Sequence, residues 1–189
     1  MLDIYVDWAC NYYYDFNKKE MNWNKSWWLW IVILQNNTII KSISESYLDT
    51  TNQKMELLAI IRAIQLTEWD INIYSDSQYA LNCSWKWKNT ETNKYYSWWI
   101  DSWNKSNKLW SDEYREDGTP ALCNRYYIRE LYSLFSNRNI NLFWVRWHNW
   151  NKYNEIADEL SNNYLSDDNL SLCEYDDMEI DYLYNSRIS

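Results

Sequence analysis

Glycine is almost missing. The chain has 189 residues and one glycine, Gly118, where ordinary usage near 7% would give about 13. Histidine is also reduced to one residue, His148. No apolar stretch approaches the roughly 18 residues of a membrane span, and the start lacks a basic-then-apolar leader. No contact with a membrane is therefore expected, and the expected location is the cytoplasm. The four cysteines, Cys10, Cys83, Cys123 and Cys173, include no C-x-x-C pair. With a single histidine beside them they do not compose a structural zinc site, and scattered reduced thiols are the simpler account. No internal repeat is present.

What is there suits one domain with an appendage. Hydrophobic residues make up 47% and charged ones 24%, enough for a packed core and against wholesale disorder. The net charge is −9, unevenly spread: Asp167, Asp168, Glu174, Asp176, Asp177, Glu179 and Asp181 against Arg187 give the last stretch −6 and leave −3 for the body. The expected division is a domain over residues 1–165 and an acidic, disordered, solubilising tail over 166–189. Overall acidity argues against indiscriminate nucleic-acid binding. Residues 82–110 run the other way, with Lys86, Lys88, Lys94, Lys105 and Lys108 against Glu91 and Asp101. Alone, such a stretch also reads as a solvated helical face.

Hydrophobic spacing sets the expected elements. Leu2, Ile4 and Val6 alternate with Asp3, Tyr5 and Asp7, the period of a half-buried strand that Asp7 ends. Residues 28–34 and 38–44 are β-rich and separated by Gln35-Asn36-Asn37, a hairpin. Thr50-Thr51-Asn52 offers a cap to a helix over 53–67, where Leu57, Ile60, Ile61 and Ile64 share a face. A strand over 71–74, a helix from Ser77, a helix over 124–137, a strand over 140–145 and a helix over 153–164 follow. Residues 84–119 read as short helices and loops. The order predicts an α/β fold with a mixed five-stranded sheet flanked by helices.

Four acids fall where this topology gathers chain: Asp7, Glu56, Asp76 and Asp158. Strand ends and helix starts at one sheet edge converge, and unpaired carboxylates there resist ionisation. Hard oxygen ligands favour magnesium or manganese, and two ions about 4 Å apart hold the attacking and leaving oxygens of a phosphodiester. Taken singly, Asp7 also reads as a turn former, Asp76 as a helix cap, and Glu56 and Asp158 as solvated helix residues.

The words around the acids are specific. Tyr5-Val6-Asp7-Trp8-Ala9-Cys10 resembles the Y-x-D-G-A/S-C opening of the type 1 ribonuclease H family. Thr51-Asn52-Gln53-Lys54-Met55-Glu56-Leu57 is similar to its T-N-N/Q-R-M/A-E-L helix start, and Ile73-Tyr74-Ser75-Asp76-Ser77-Gln78-Tyr79 to I-Y-T-D-S-Q-Y. Val145-Arg146-Trp147-His148-Asn149-Trp150, through Asn154-Glu155-Ile156-Ala157-Asp158-Glu159-Leu160, resembles V-K-G-H-x-G-x-x-x-N-E-x-A-D-x-L. The words come in family order and span roughly residues 2–165. One would be weak, but four, each holding its acid, are strong.

The resemblance implies a ribonuclease H-like fold and two-metal hydrolysis of the RNA strand of RNA–DNA hybrids, leaving 5′-phosphate ends, in replication or repair. It implies Asp7, Glu56, Asp76 and Asp158 as ligands of two Mg2+ ions, with Mn2+ as a substitute. His148 would stand on a mobile loop and activate water or release product. Thr51, Asn52 and Gln53 match positions that touch phosphate or the hybrid minor groove, whose 2′-hydroxyls distinguish RNA from DNA. Residues 84–110 are similar to the family's basic protrusion, with Lys86, Lys88, Trp103 and Lys105 as contacts to the DNA strand. A monomer with no obligate protein partner is expected. A non-catalytic nucleic-acid-binding module on the same fold is the first alternative and an aromatic-rich interaction protein the second. Holliday-junction resolvases and integrases lack the T-N-x-x-M-E-L and H-x-x-x-x-x-N-E-x-A-D words.

Departures from the pattern are equally plain. Tyr12-Tyr13-Tyr14 stand where a polar hybrid contact is usual, and residues 90–96 and 111–118 lengthen the span between Asp76 and Asp158. Tryptophan occurs 15 times, and Trp8, Trp147 and Trp150 occupy family glycine positions. Trp30, Trp69 and Trp85 read as glycine positions by context, with Trp23 and one of Trp27 or Trp28 as additions. Trp87, Trp103 and Trp110 suit genuine aromatic positions. Glycine serves where φ is positive or another group approaches closely, and a bulky residue there costs about 1–3 kcal/mol. UGA codons that encode glycine but are read as tryptophan would produce this pattern; real tryptophans with the backbone adapted to them, or a decayed copy, are the alternatives.

Overall fold

In this computed structural model the described residues are 1–11, 14–15, 20–21, 26–48, 50–68, 70–96, 99–146 and 170–172. The expected helix over 153–164, with His148, Asp158, Trp23, Trp69, Trp147 and Trp150, lies outside them.

The chain opens with β1 (Leu2–Asn11), which is followed by a small pair, β2 (Tyr14–Asp15) and β3 (Glu20–Met21). Two long antiparallel strands come next, β4 (Ser26–Gln35) and β5 (Thr38–Leu48). Asn36 and Asn37 form their turn at φ 51° and 61°, the left-handed conformation that asparagine tolerates and a tight hairpin needs. Helix α1 (Asn52–Gln65) begins at Thr51, whose side chain accepts from the Lys54 amide, as the Thr-Thr-Asn cap predicts. Then follow β6 (Ile71–Ser75), α2 (Gln78–Ser84), β7 (Trp87–Asn89), β8 (Tyr95–Tyr96), α3 (Trp99–Lys105), α4 (Arg125–Ser136), β9 (Ile140–Trp144) and β10 (Leu170–Leu172).

The sheet order is β10-β5-β4-β1-β6-β9-β7-β8. The expected five strands are its contiguous central block, β5 to β9. The additions lie at both edges. Residues 84–119 do not form only helices and loops: the insertion around 90–96 makes the β7–β8 hairpin, which extends the sheet past β9. At the other edge Leu170-Ser171-Leu172 pairs parallel to Ser46–Leu48, so the acidic segment is not wholly disordered. An edge strand leaves unpaired backbone groups, and the short alternating Leu-Ser-Leu word supplies a partner for those of β5.

Strand alternation sorts the core. Leu2, Ile4 and Val6 of β1 and Leu29, Ile31 and Ile33 of β4 pack with Leu57, Ile60, Ile61 and Ile64 of α1 and with Ile128 and Leu131 of α4. The opposite face of β4 carries Trp28, Trp30, Val32 and Leu34, also buried, with Tyr5 against them. β4 is therefore apolar on both faces, which is why it reads as a continuous run rather than an alternating one. Of the described thiols, Cys83 is buried and Cys123 exposed, and both are free. Burial pushes the Cys83 thiol up to about 12, so it stays protonated and packs as a small apolar group.

Tryptophan geometry corrects one expectation. Among the described residues, positive φ occurs at Asn36, Asn37, Asn93, Asn107, Asn124 and Gly118. Trp8, Trp27, Trp28, Trp30 and Trp85 do not stand in the left-handed region, so backbone strain does not mark them. Two of them are marked instead by an unmet donor. The indole N–H groups of Trp27 and Trp30 are buried with no acceptor among the described residues, at a cost of about 1–3 kcal/mol each.

Candidate active site

Asp7 does not end its strand. β1 continues to Asn11, and Asp7 lies opposite Trp30 of β4. On its other side β1 runs parallel to β6, with Leu2 opposite Ile71 and Tyr5 opposite Tyr74. Continuing that register by two residues brings Asp7 level with Asp76, the first residue beyond the end of β6. Alternation places Asp7 on the face of the sheet where Tyr5 and Tyr74 stack, ring centroids 4.6 Å apart. Asp7 is 8% exposed, and its Oδ1 accepts from the Trp8 amide at 2.7 Å.

Asp76 is held through its backbone. Its carbonyl accepts from the Trp144 indole at 2.9 Å, and the Ser75 carbonyl accepts from the Val145 amide at 3.1 Å. Parallel β9 thus clamps the end of β6 from the side. Ser77 caps α2, its Oγ accepting from the Ala80 amide at 3.1 Å.

Glu56 arrives from the helix-covered side. It occupies the early part of α1 between buried Met55 and Leu57. Burial raises its pKa above the ordinary glutamate value, and the charge of Asp76 raises it further. Hydrogen bonds from the Ser77 hydroxyl and the Trp8 indole oppose the shift without cancelling it. Thr51, Asn52 and Gln53 are exposed at the start of the same helix.

Asp7 and Asp76 thus fall at one level of the paired strands β1 and β6, and the Asp76 charge acts on Glu56. Asp158 and His148 lie outside the described residues. Among the described residues, no three histidine, cysteine, aspartate or glutamate side chains form a group able to hold a metal by themselves. The donors are still of the right kind, being carboxylate oxygens only, with one acid of raised pKa that a neighbouring cation would relieve.

The expected substrate contacts divide into two groups. Lys86 and Lys88 belong to the β7–β8 hairpin, their Nζ atoms 4.5 and 5.7 Å from the centre of the Tyr95 ring. Trp103 and Lys105 belong to α3. Trp103 packs on the core and against Trp99, and Lys105 pairs with Asp101 at 2.6 Å. Sequence reasoning passed over Ser77 and Trp144. Ser77 had a signal, as a small hydroxyl directly after the acid at a strand-to-helix junction. Trp144 had none, since its role depends on the pairing of β6 with β9.

Comparisons with known proteins identify relatives of the chain. The family model described as RNase H matches residues 2–166. The ribonuclease H of Francisella philomiragia is 34% identical over 135 residues, covering 70% of this chain and 77% of that protein. The ribonuclease H of Orientia tsutsugamushi is 31% identical over 162 residues, covering 85% and 79%. The solved structure of the prototype foamy virus protease–reverse transcriptase superposes with a TM-score of 0.57 at 17% identity, over 85% of this chain and 20% of that one. That likeness concerns the fold alone.

Proposed function

Because the chain belongs to the RNase H family, we propose that it hydrolyses the RNA strand of RNA–DNA hybrids with two divalent metal ions, leaving 5′-phosphate ends. The observation that carries this reading is the pairing of β1 with β6, whose register brings Asp7 level with Asp76 while Glu56 stands within the field of Asp76.

Asp7, Glu56 and Asp76, with Asp158 assigned by resemblance, would hold the ions, Mg2+ or Mn2+ in its place. When bound, such ions supply charge neutralisation and a more acidic water. Ser77 orients Glu56, and Trp144 holds the Asp76 backbone still. Thr51, Asn52 and Gln53 are offered to the hybrid from the exposed start of α1, and Lys86, Lys88, Trp103 and Lys105 to its DNA strand. His148, assigned by resemblance, would help activate water or release product. We assign catalysis to residues 1–165 of a cytoplasmic monomer, acting in replication or repair without an obligate protein partner. No helix among the described residues is long and apolar enough to cross a membrane.

A non-catalytic nucleic-acid-binding module is the second reading, favoured by the Trp8 indole on Glu56. One assay separates them. The catalytic reading expects cleavage of a labelled hybrid with Mg2+, none with a chelator, and 5′-phosphate products. Asp76→Asn should lower the rate by at least about a hundredfold. Binding without cleavage selects the module.

A further inference from the structure

The β7–β8 hairpin is built more firmly than an incidental insertion requires. Asn89 closes its turn by accepting from the Glu91 and Thr92 amides at 2.9 and 2.8 Å. The amide and hydroxyl of Thr90 both donate to the Trp144 carbonyl, at 3.1 and 3.0 Å. Trp144 is the residue whose indole holds the Asp76 carbonyl. The turn is thus tied, through Trp144, to the end of β6 beside Asp76. One face is anchored: Trp87 is buried, donates to Asn82 at 3.0 Å and stacks on Tyr96 at 4.5 Å.

The other face carries Lys86, Lys88 and Tyr95. Lys88 pairs across the strands with Tyr95, and Lys86 is two residues away on the same side. Tyr95 is 63% exposed, a large ring kept in water with two ammonium groups beside it. Among the described residues, neither lysine has a carboxylate partner within ion-pair distance. The local acid, Glu91, faces Arg146 at 3.8 Å. In a chain of net charge −9, this is a cationic, aromatic surface on a rigid support. An exposed ring that takes any base face, flanked by cations for the phosphates, is how unpaired nucleic acid is held without sequence preference.

We propose that the outward face of the hairpin binds single-stranded nucleic acid, stacking a base on Tyr95 with its phosphates at Lys86 and Lys88. Resting on the hybrid-cleaving reading, the unpaired strand would be the one leaving the hybrid beside Asp76, so that hybrids with a single-stranded overhang are preferred to blunt ones.

Two measurements test the surface separately from catalysis. Fluorescein-labelled oligo(dT) is titrated with the full chain in chelator, read by anisotropy. Tyr95→Ala is expected to weaken binding at least about fivefold and Tyr95→Phe to leave it nearly unchanged. Lys86→Glu with Lys88→Glu should flatten the salt dependence. Equal affinity for Tyr95→Ala and the unaltered chain, or equal affinity for oligo(dT) and duplex DNA, overturns the proposal. With Mg2+, the unaltered chain should cleave an overhung hybrid at lower KM than a blunt one, and Tyr95→Ala should lose that difference. Cleavage with no overhang effect defeats this inference alone. Ring-dependent oligo(dT) binding without cleavage of any hybrid defeats the hybrid-cleaving reading and leaves the surface standing.

Discussion

The Trp8 indole on β1 acts on the Glu56 carboxylate on α1 as a hydrogen-bonding neighbour, lowering its pKa against the rise that burial imposes. A lone pair committed to an indole is withdrawn from any cation, and a hydrogen bond to a charged group is worth about 1.5–3 kcal/mol. Trp8→Gly should therefore tighten Mn2+ binding by roughly tenfold or more, measured by calorimetric titration, and raise the cleavage rate with it. Unchanged metal affinity would mean that Trp8 does not compete for Glu56.

The coding sequence tests the tryptophan pattern directly. UGA codons are expected at Trp8, Trp147 and Trp150. Trp30, opposite Asp7 with its N–H buried and without an acceptor among the described residues, should be encoded the same way. Nucleotide sequencing decides the matter, and UGG at the first three positions would end the recoding account.

Glu56 makes stability and activity pull apart. Its pKa is raised, first by burial and then by Asp76, so the folded chain holds this proton more tightly than the unfolded chain. The group therefore costs stability as pH rises through the ordinary glutamate value of about 4.3 and upward. In divalent-free buffer at neutral pH, Glu56→Gln should melt at a higher temperature than the unaltered chain. The gain should vanish below about pH 4. Hybrid cleavage should fall at least about a hundredfold in the same variant. A lower melting temperature at neutral pH would contradict the assigned burial cost.

Glu45 behaves in the opposite sense. Burial alone would raise its pKa, but Arg62 donates to both carboxylate oxygens, at 2.7 and 2.6 Å, and Tyr47 donates at 2.8 Å. These bonds and the Arg62 charge outweigh burial and hold the carboxyl below its usual range. Its contribution is present above the unfolded value and lost as pH falls through the folded one. The pair is partly exposed, so Glu45→Gln should cost only about 1 kcal/mol at neutral pH. Chemical denaturation at neutral pH and at about pH 3 checks this, since the cost should disappear in acid.

Much of this architecture was legible because its signals are local. Leu57, Ile60, Ile61 and Ile64 announce α1, Thr51 its cap, and Asn36-Asn37 the β4–β5 turn. The acids were legible through the words around them, and the β1–β6 register then set Asp7 level with Asp76. What escaped depends on partners distant in the chain. Residues 87–96 contain too few alternations to read as strands, and only the neighbouring edge of β9 makes them a hairpin. Leu170–Leu172 is a strand only because β5 lies open beside it. The helix side of Glu56 and the opposite side of Asp7 were illegible too, because facing is set by pleat and register rather than by spacing.

The alignment of Asp7 with Asp76 makes the first strand intolerant of any change in length. One extra residue between Leu2 and Val6 would swing the carboxylate half a pleat, into the oily layer under α1, and no remodelling of distant loops would bring it back. New material can be accepted only at the sheet's margins, and the hairpin and the terminal strand are both attached there.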